Sequence, residues 1–406
     1  MHCVKGGLDM ADALTDEALV ADAGVVVVGS GIVGAACARA LARAGVNVWV
    51  VERDGAARGT SGAGEGNLVL WDRGFEADFA LAQWCASMWP VVADALAEET
   101  GTDVEYCRKG SLMVISEPEG LASAEQRCSW LGARGVNYEW LSDTELRTLE
   151  PGLTGRVARA ALFPDDAQIE PRAATGALLH AARRYGATVL EHEEVIGLVD
   201  DADCVVVTTA RRELRAQWVV MAAGVWTPAL GRMLGARVPV AARKGHVVVL
   251  GGASVRVNHK VMEASYFKTV ESDDKSLLVA AVVESTRAGT ILLGSSRVVV
   301  DTLERTSEMS VVSKIVRRAL EFYPGLGSAR ILRTYAGLRP MSSDHVPIIG
   351  QLPKHPRVLL ATGHEGGGVM MSIGTAEIIT GMVVGNVSPV ALEPFSPGRF
   401  EIMGRP

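Results

Sequence analysis

The chain has 406 residues, 48% of them hydrophobic and 21% charged, with a formal net charge of -7. That length exceeds what one hydrophobic core usually serves, so two domains are expected. A mildly acidic chain with no basic run excludes a nucleic-acid surface, and six cysteines with neither CxxC spacing nor a histidine at ligand spacing exclude a zinc or iron–sulfur site.

Residues 1–23 carry Asp9, Asp12, Asp16 and Glu17 and lack an apolar signal core, so they are expected to be a disordered leader, with Met10 a second candidate start. Val25–Val28 is a short apolar run of the kind that forms a buried parallel strand. It enters Gly29-Ser30-Gly31-Ile32-Val33-Gly34, and a helix with small or apolar residues at Val33, Cys37, Ala40, Leu41 and Ala44 follows, ending at Gly45. Val46–Val51 is a second strand, closed by Glu52 and Arg53. This is the full dinucleotide fingerprint in its strand–turn–helix–strand context. Gly29 makes the tight turn, Gly31 lets the backbone approach a pyrophosphate, and Gly34 allows close helix–strand packing. Unpaired N–H groups at the helix start attract the phosphates. Glu52 is placed to accept from ribose hydroxyls and disfavours a 2′-phosphate, which argues against NADP and leaves NAD and FAD open.

A second glycine-rich loop, Arg58-Gly-Thr60-Ser61-Gly62-Ala-Gly-Glu-Gly66, comes soon after. From here the chain resembles the D-amino-acid oxidase-like flavoprotein family, which includes glycine oxidase, sarcosine oxidase and D-amino-acid dehydrogenases. The resemblance runs from about residue 24 to 390 and implies that this loop, with Thr60, Ser61 and Gly62, lies along FAD and its phosphates. Phe163–Pro171 resembles the family's segment before a second βαβ-like unit, with a helix from Pro171 to Gly186 and a strand at Ala187–Leu190. Val195 matches the position whose backbone meets the adenine. Trp218–Met221 followed by Ala222-Ala223-Gly224-Val-Trp226 resembles the strand and turn that close over the dinucleotide. Val238–Leu250, Lys260–Val270, Leu277–Val283 and Thr290–Val299 are expected strands without intervening helices, hence an antiparallel sheet, and residues from about 75 to 150 are expected to add helices and short strands, among them Lys109–Ile115, the two together forming a cap.

Tyr335-Ala-Gly337-Leu-Arg339-Pro340, then Asp344–Gly350, resembles the family's C-terminal motif. A short strand at Val358–Ala361 leads to Gly363-His364-Glu365-Gly366-Gly367-Gly368-Val369, the opening of a helix toward Met382. In the family that helix start faces the pyrimidine end of the flavin, where a positive dipole end favours the reduced form. Val369–Gly385 is apolar but holds Thr375 and Glu377, and reads as too short and polar for a membrane span.

The resemblance implies an α/β protein with a Rossmann-like FAD-binding domain (24–80, 150–236 and 329–390), a substrate domain (81–149 and 237–328) and a tail (391–406). It implies oxidation of the C–N bond of an amino acid by hydride transfer to the flavin. Arg339 matches the family's carboxylate-binding arginine, the alternative being a structural or flavin-contacting role. Tyr266 is a candidate substrate-side hydroxyl or a packing residue, and His246 a candidate site residue or a satisfied sheet histidine. His364 is a candidate contact to the ring edge or a brace for its loop. No cysteine follows Cys204 and no histidine lies between Thr60 and Gly66, so neither covalent flavin link of the family has a donor and non-covalent FAD is expected.

Lys244-Gly245-His246, Leu292–Arg297 and Gly363–Gly366 with Ser372–Thr375 resemble D-hydroxyproline dehydrogenase and opine oxidase catalytic subunits. That branch implies a dehydrogenase of a cyclic or N-substituted amino acid, with molecular oxygen a poor acceptor; the alternative within the family is a stand-alone oxidase of a D-amino acid, glycine or an N-methyl amino acid. Between them the electron acceptor stays open among molecular oxygen, a quinone and a partner redox subunit, and the assembly between homo- and hetero-oligomer. A cytoplasmic location, with or without peripheral contact at the inner face of the membrane, fits these readings. Two alternatives stand beside them: a protein that holds FAD only to pass electrons within a complex, and a non-amine flavoenzyme of the same fold.

Overall fold

A computed structural model describes residues 21–74, 76–266, 272 and 274–402. The valine run forms β1 (Ala21–Val28), with Val25 to Val27 fully buried because both faces of the strand are covered. Helix α1 (Ile32–Arg43) follows, and Gly45, at φ 82°, turns the chain into β2 (Val48–Glu52). Next come β3 (Asn67–Leu68), α2 (Glu76–Thr100), β4 (Ser111–Ile115), α3 (Leu121–Gly132), β5 (Glu139–Leu141), α4 (Asp143–Leu149), β6 (Arg159–Phe163) and β7 (Ala167–Gln168). They are followed by α5 (Pro171–Arg184), β8 (Thr188–Glu191), β9 (Val195–Asp200), β10 (Val205–Thr209), β11 (Glu213–Met221) and α6 (Thr227–Met233). The last part comprises β12 (Val240–Gly251), β13 (Lys260–Glu263), β14 (Leu278–Ser285), β15 (Ile291–Val300), α7 (Met309–Phe322), β16 (Arg330–Ser342), β17 (Ile348–Leu352), β18 (His355–Thr362) and α8 (Gly368–Val384).

The fold is the expected mixed α/β type, built on two large sheets. One has the order β17-β18-β11-β1-β2-β8, parallel from β18 to β8, with the β9–β10 hairpin added antiparallel to β11. Helices α1, α5 and α8 pack together on one face, and Gly374 lets α8 approach α2 so closely that a Cβ there would stand 2.5 Å from Cys85 Sγ. The other sheet runs β16-β12-β15-β14-β13-β4-β6-β5, with α7 packed on β12, β14 and β15.

Several boundaries differ from the sequence reading. Asp22 and Ala23, expected in a disordered leader, belong to β1 and pair with Arg215 and Ala216, while residues 1–20 of that expectation lie outside the described residues. Helix α2 packs on α5 and α8, burying Leu81, Cys85, Trp89 and Leu96 in the nucleotide-side core, whereas the sequence reading places residues 81–149 in the cap. Its apolar stripe is what places it there. Conversely β6 and β16, expected on the nucleotide side, are strands of the second sheet, where β16 pairs with β12 along nearly its whole length. That sheet is antiparallel except between β13 and β4, which run parallel. The strand expected over Lys260–Val270 ends at Glu263; Ser265 and Tyr266 begin a helical turn, and 267–270 lie outside the described residues. Glu365–Val384 is, by length and composition, apolar enough to cross a membrane, but it is mostly buried among α1 and α2, and that burial accounts for its composition.

Candidate functional site

A cavity of about 250 Å³ lies between the two sheets. Its first end is made of backbone. Gly29 stands at φ 103°, where a Cβ would come 2.8 Å from the Ala222 carbonyl oxygen, and a Cβ on Gly34 would come 2.0 Å from that of Gly29. Any side chain there would lift α1 off the sheet. The helix has no side-chain cap at Gly31; instead Ile32 N donates to Ser61 Oγ at 2.9 Å, which ties the second glycine-rich loop to the helix start. Glu52 accepts through Oε2 from Ser30 N (2.8 Å) and Ser30 Oγ (3.0 Å). The Arg53 guanidinium stacks 4.1 Å from the centre of the Trp226 ring. This cradle, a glycine turn at a helix start without a side-chain cap and with an acid beside it, fits a dinucleotide.

The second end is made of charged side chains. Arg339, on β16, faces Arg243 across the β12 pairing and lies over Gly245, where a Cβ would come within 2.2 Å of Nη1. It donates to Ser296 O (2.9 Å) and Ser295 Oγ (3.3 Å) of β15. Glu365, at the turn before α8, points its Oε1 at Arg297 Nε (3.4 Å) and Arg243 Nη1 (3.7 Å), while Oε2 accepts from Gly366 N at 2.7 Å. Burial would raise the Glu365 carboxyl, but Arg297, Arg339 and Arg243 outweigh it and hold it down to about 2. Arg297 also stacks on Tyr266, 4.3 Å from the ring centre. His364 pairs through Nε2 with Thr375 Oγ1 at 2.9 Å, and burial pushes it down to about 4, so its ring is neutral near pH 7. The cavity therefore joins a phosphate-sized backbone cradle to a pocket with a buried cationic wall.

The profile of the family described as FAD dependent oxidoreductase matches residues 24–382. The chain belongs to this family. FAD is accordingly its cofactor. Among the curated relatives, glycine oxidase of Geobacillus kaustophilus is 26% identical over 380 residues, covering 92% of this chain and 96% of that protein. Glycine oxidase of Pseudomonas aeruginosa is 29% identical, with 92% and 98% covered, and an opine oxidase subunit of Rhizobium meliloti is 24% identical, with 93% and 97% covered. The crystal structure of the G. kaustophilus glycine oxidase superposes with a TM-score of 0.85 at 25% identity, over 93% of this chain and 98% of the other.

Within this flavoprotein fold, Gly29, Gly31, Ile32, Val33, Glu52, Arg53, Thr60, Ser61, Val195, Ala223, Gly224, Trp226, Gly337, Arg339, His364, Glu365, Gly366, Gly368 and Val369 line the cavity, and so does Tyr266. Ser30, Gly34, Gly62, Gly363 and Gly367 do not; they shape the turns behind it, as where a Gly62 Cβ would come 2.1 Å from Ala57 O. His246 departs most from expectation. Its neighbours Gly245 and Val247 line the cavity, so strand alternation turns His246 to the other face, where it is fully buried and Nδ1 meets Ser296 Oγ at 3.0 Å. Sequence reasoning missed Glu65 and Asn67, which line the cavity, and Arg243 and Arg297, which back it. One signal was present: a lone glycine at 245 inside a strand pattern marks a close approach, here of a guanidinium.

Proposed function

We propose that this flavoprotein oxidises the C–N bond of an amino acid whose carboxylate is held by Arg339. The observation that carries this is the guanidinium laid over Gly245 and lining the cavity: two of its nitrogens are anchored to β15, and its remaining donors offer a planar fork to a carboxylate. Bound FAD supplies the hydride acceptor. Glu52 and the glycine cradle would hold its ribose and pyrophosphate, and the start of α8, on a turn braced by neutral His364, would face the far end of the cofactor. Glu365 keeps Arg297 and Arg243 charged and in place behind that turn. The names of the relatives support the reading: glycine oxidases, an opine oxidase subunit, and an L-proline dehydrogenase among the structures of the same fold. The opine oxidase relative and a hydrogen cyanide synthase relative are by name components of assemblies, so electron transfer to a partner protein is part of the proposal.

The test is anaerobic titration of the FAD-loaded protein with glycine, sarcosine, D-alanine, D-proline, cis-4-hydroxy-D-proline and an opine. Loss of the flavin absorbance with one of them is expected, and readmitting air then separates molecular oxygen from another acceptor. An oxidised spectrum that no amine changes would overturn the proposal.

A further inference from the structure

Two carboxylates line the substrate end of the cavity, and they are held differently. Both oxygens of Glu365 are engaged, by Arg297 and Arg243 on one side and Gly366 N on the other. Glu65 is different. It sits near the end of the glycine-rich loop, its side chain 9% exposed, with Oε2 near Lys260 Nζ (3.5 Å) and Asn67 Nδ2 (3.4 Å). Lys260 stands nearer to Glu284, at 2.7 Å, so Glu65 is its looser partner. Oε1 of Glu65 accepts no hydrogen bond among the described residues. It lies against the bare backbone of β15 at Gly294, where a Cβ would come within 2.2 Å of it.

The neighbouring residues Ser295 and Ser296 are those that anchor Arg339. A carboxylate and a guanidinium thus stand at successive positions along one strand, both facing the cavity, and among the described residues no ion pair joins them. An anion and a cation that face one cavity match in sign the two ends of an amino acid. We propose that Glu65 recognises the substrate nitrogen while Arg339 holds the carboxylate, and that Lys260 and Asn67 fix the Glu65 side chain for this task. The inference rests on the C–N oxidation proposed above.

The chemistry gives the carboxylate more than a binding role. The amine reacts in its neutral form, its ammonium proton having passed to solvent; as the Cα–H bond breaks, the electron pair would pass as hydride to bound FAD, the nitrogen lone pair forms the C=N bond, and the nitrogen becomes cationic. A fixed anion beside that nitrogen stabilises the charge as it develops, with no reorganisation required. Glu65 therefore acts on the rate at saturation more than on binding of the carboxylate end.

The experiment compares wild type, Glu65→Gln and Arg339→Lys, all FAD-loaded. It uses anaerobic flavin reduction by glycine, sarcosine and D-proline, and the spectral titration of cyclopentanecarboxylate, which has a carboxylate but no nitrogen. Glu65→Gln is expected to be reduced about 10²-fold more slowly at saturation while binding cyclopentanecarboxylate as wild type does. Arg339→Lys is expected to lose that binding. Wild-type reduction rates in Glu65→Gln, with Arg339→Lys impaired, would overturn the role of Glu65 alone. Failure of every amine to reduce the wild type would overturn this role and the proposed reaction together. If Glu65→Gln does not hold FAD, Glu65→Asp decides, since it keeps the charge but withdraws it by one methylene. Slowed reduction with unchanged cyclopentanecarboxylate binding supports the role, and an unchanged rate overturns it.

Discussion

The two ends of the cavity are built from opposite materials. The dinucleotide end is backbone: glycines at 29 and 34 whose missing side chains let a strand, a turn and a helix close on one another. The substrate end is charge: Arg243, Arg297, Arg339 and Glu365, brought from β12, β15, β16 and the turn before α8. A backbone cradle tolerates any ligand with the right phosphate spacing and fails sterically when a side chain is added. A charged wall selects by sign and fails electrostatically when one member is removed. On the proposed reading the contrast separates binding of the cofactor from choice of the substrate, and mutation should separate them too.

The largest expected effect is at the charged end. Glu365→Gln removes the carboxylate charge that faces buried Arg243 and Arg297, and a loss of roughly 3–5 kcal/mol in stability is expected from denaturant unfolding. A loss below ~1 kcal/mol would show that other groups neutralise the arginines. At the backbone end, Gly34→Ala should weaken FAD binding roughly tenfold or more, through overpacking of about 1–3 kcal/mol, measured as flavin retained through gel filtration. Full retention there would erase the contrast. Gly245→Ala sharpens it: the three atoms nearest the added methyl all belong to the Arg339 guanidinium, so it should displace that group while flavin content survives, and kcat/KM should fall by about tenfold, a cost of ~1.4 kcal/mol. The smallest effect concerns His364. Its folded value, near 4, is below the ordinary 6.5, so the unfolded chain takes up the proton first as pH falls. The stability it contributes is complete above pH 6.5 and is lost as pH drops toward 4. His364→Gln should therefore flatten the fall of Tm across that window by roughly 2–4 °C; parallel curves would show that the imidazole is not the group responsible.

Legibility follows the same division. The dinucleotide end was readable because its determinants are consecutive: Gly29 to Gly34, then Glu52, on elements whose periodicity is local. That Arg339 lines the cavity was readable by resemblance. The companions of Arg339 were not, because Arg243 and Arg297 meet Glu365 only through a sheet whose order, β16-β12-β15, no local pattern announces. His246 misled for a related reason, since a strand alternates and the phase is fixed by Gly245 rather than by the histidine. Glu65 hid in a loop whose glycines drew the eye to phosphates, and its meeting with Gly294 on β15 depends on how the loop docks against the second sheet.

The position of β1 has a consequence for how the protein is made. One edge of β1 is covered by β2 almost at once, but the other waits for β11, which is complete only at Met221, and β11 in turn waits for β18, complete only at Thr362. During synthesis the valines of β1 therefore leave the ribosome with an apolar, unpaired edge, the kind of surface that chaperones protect. The glycine turn after β1 is braced by Ala222, just beyond β11, so a nascent chain stalled before that point should hold no FAD even though every residue of the fingerprint has already been translated.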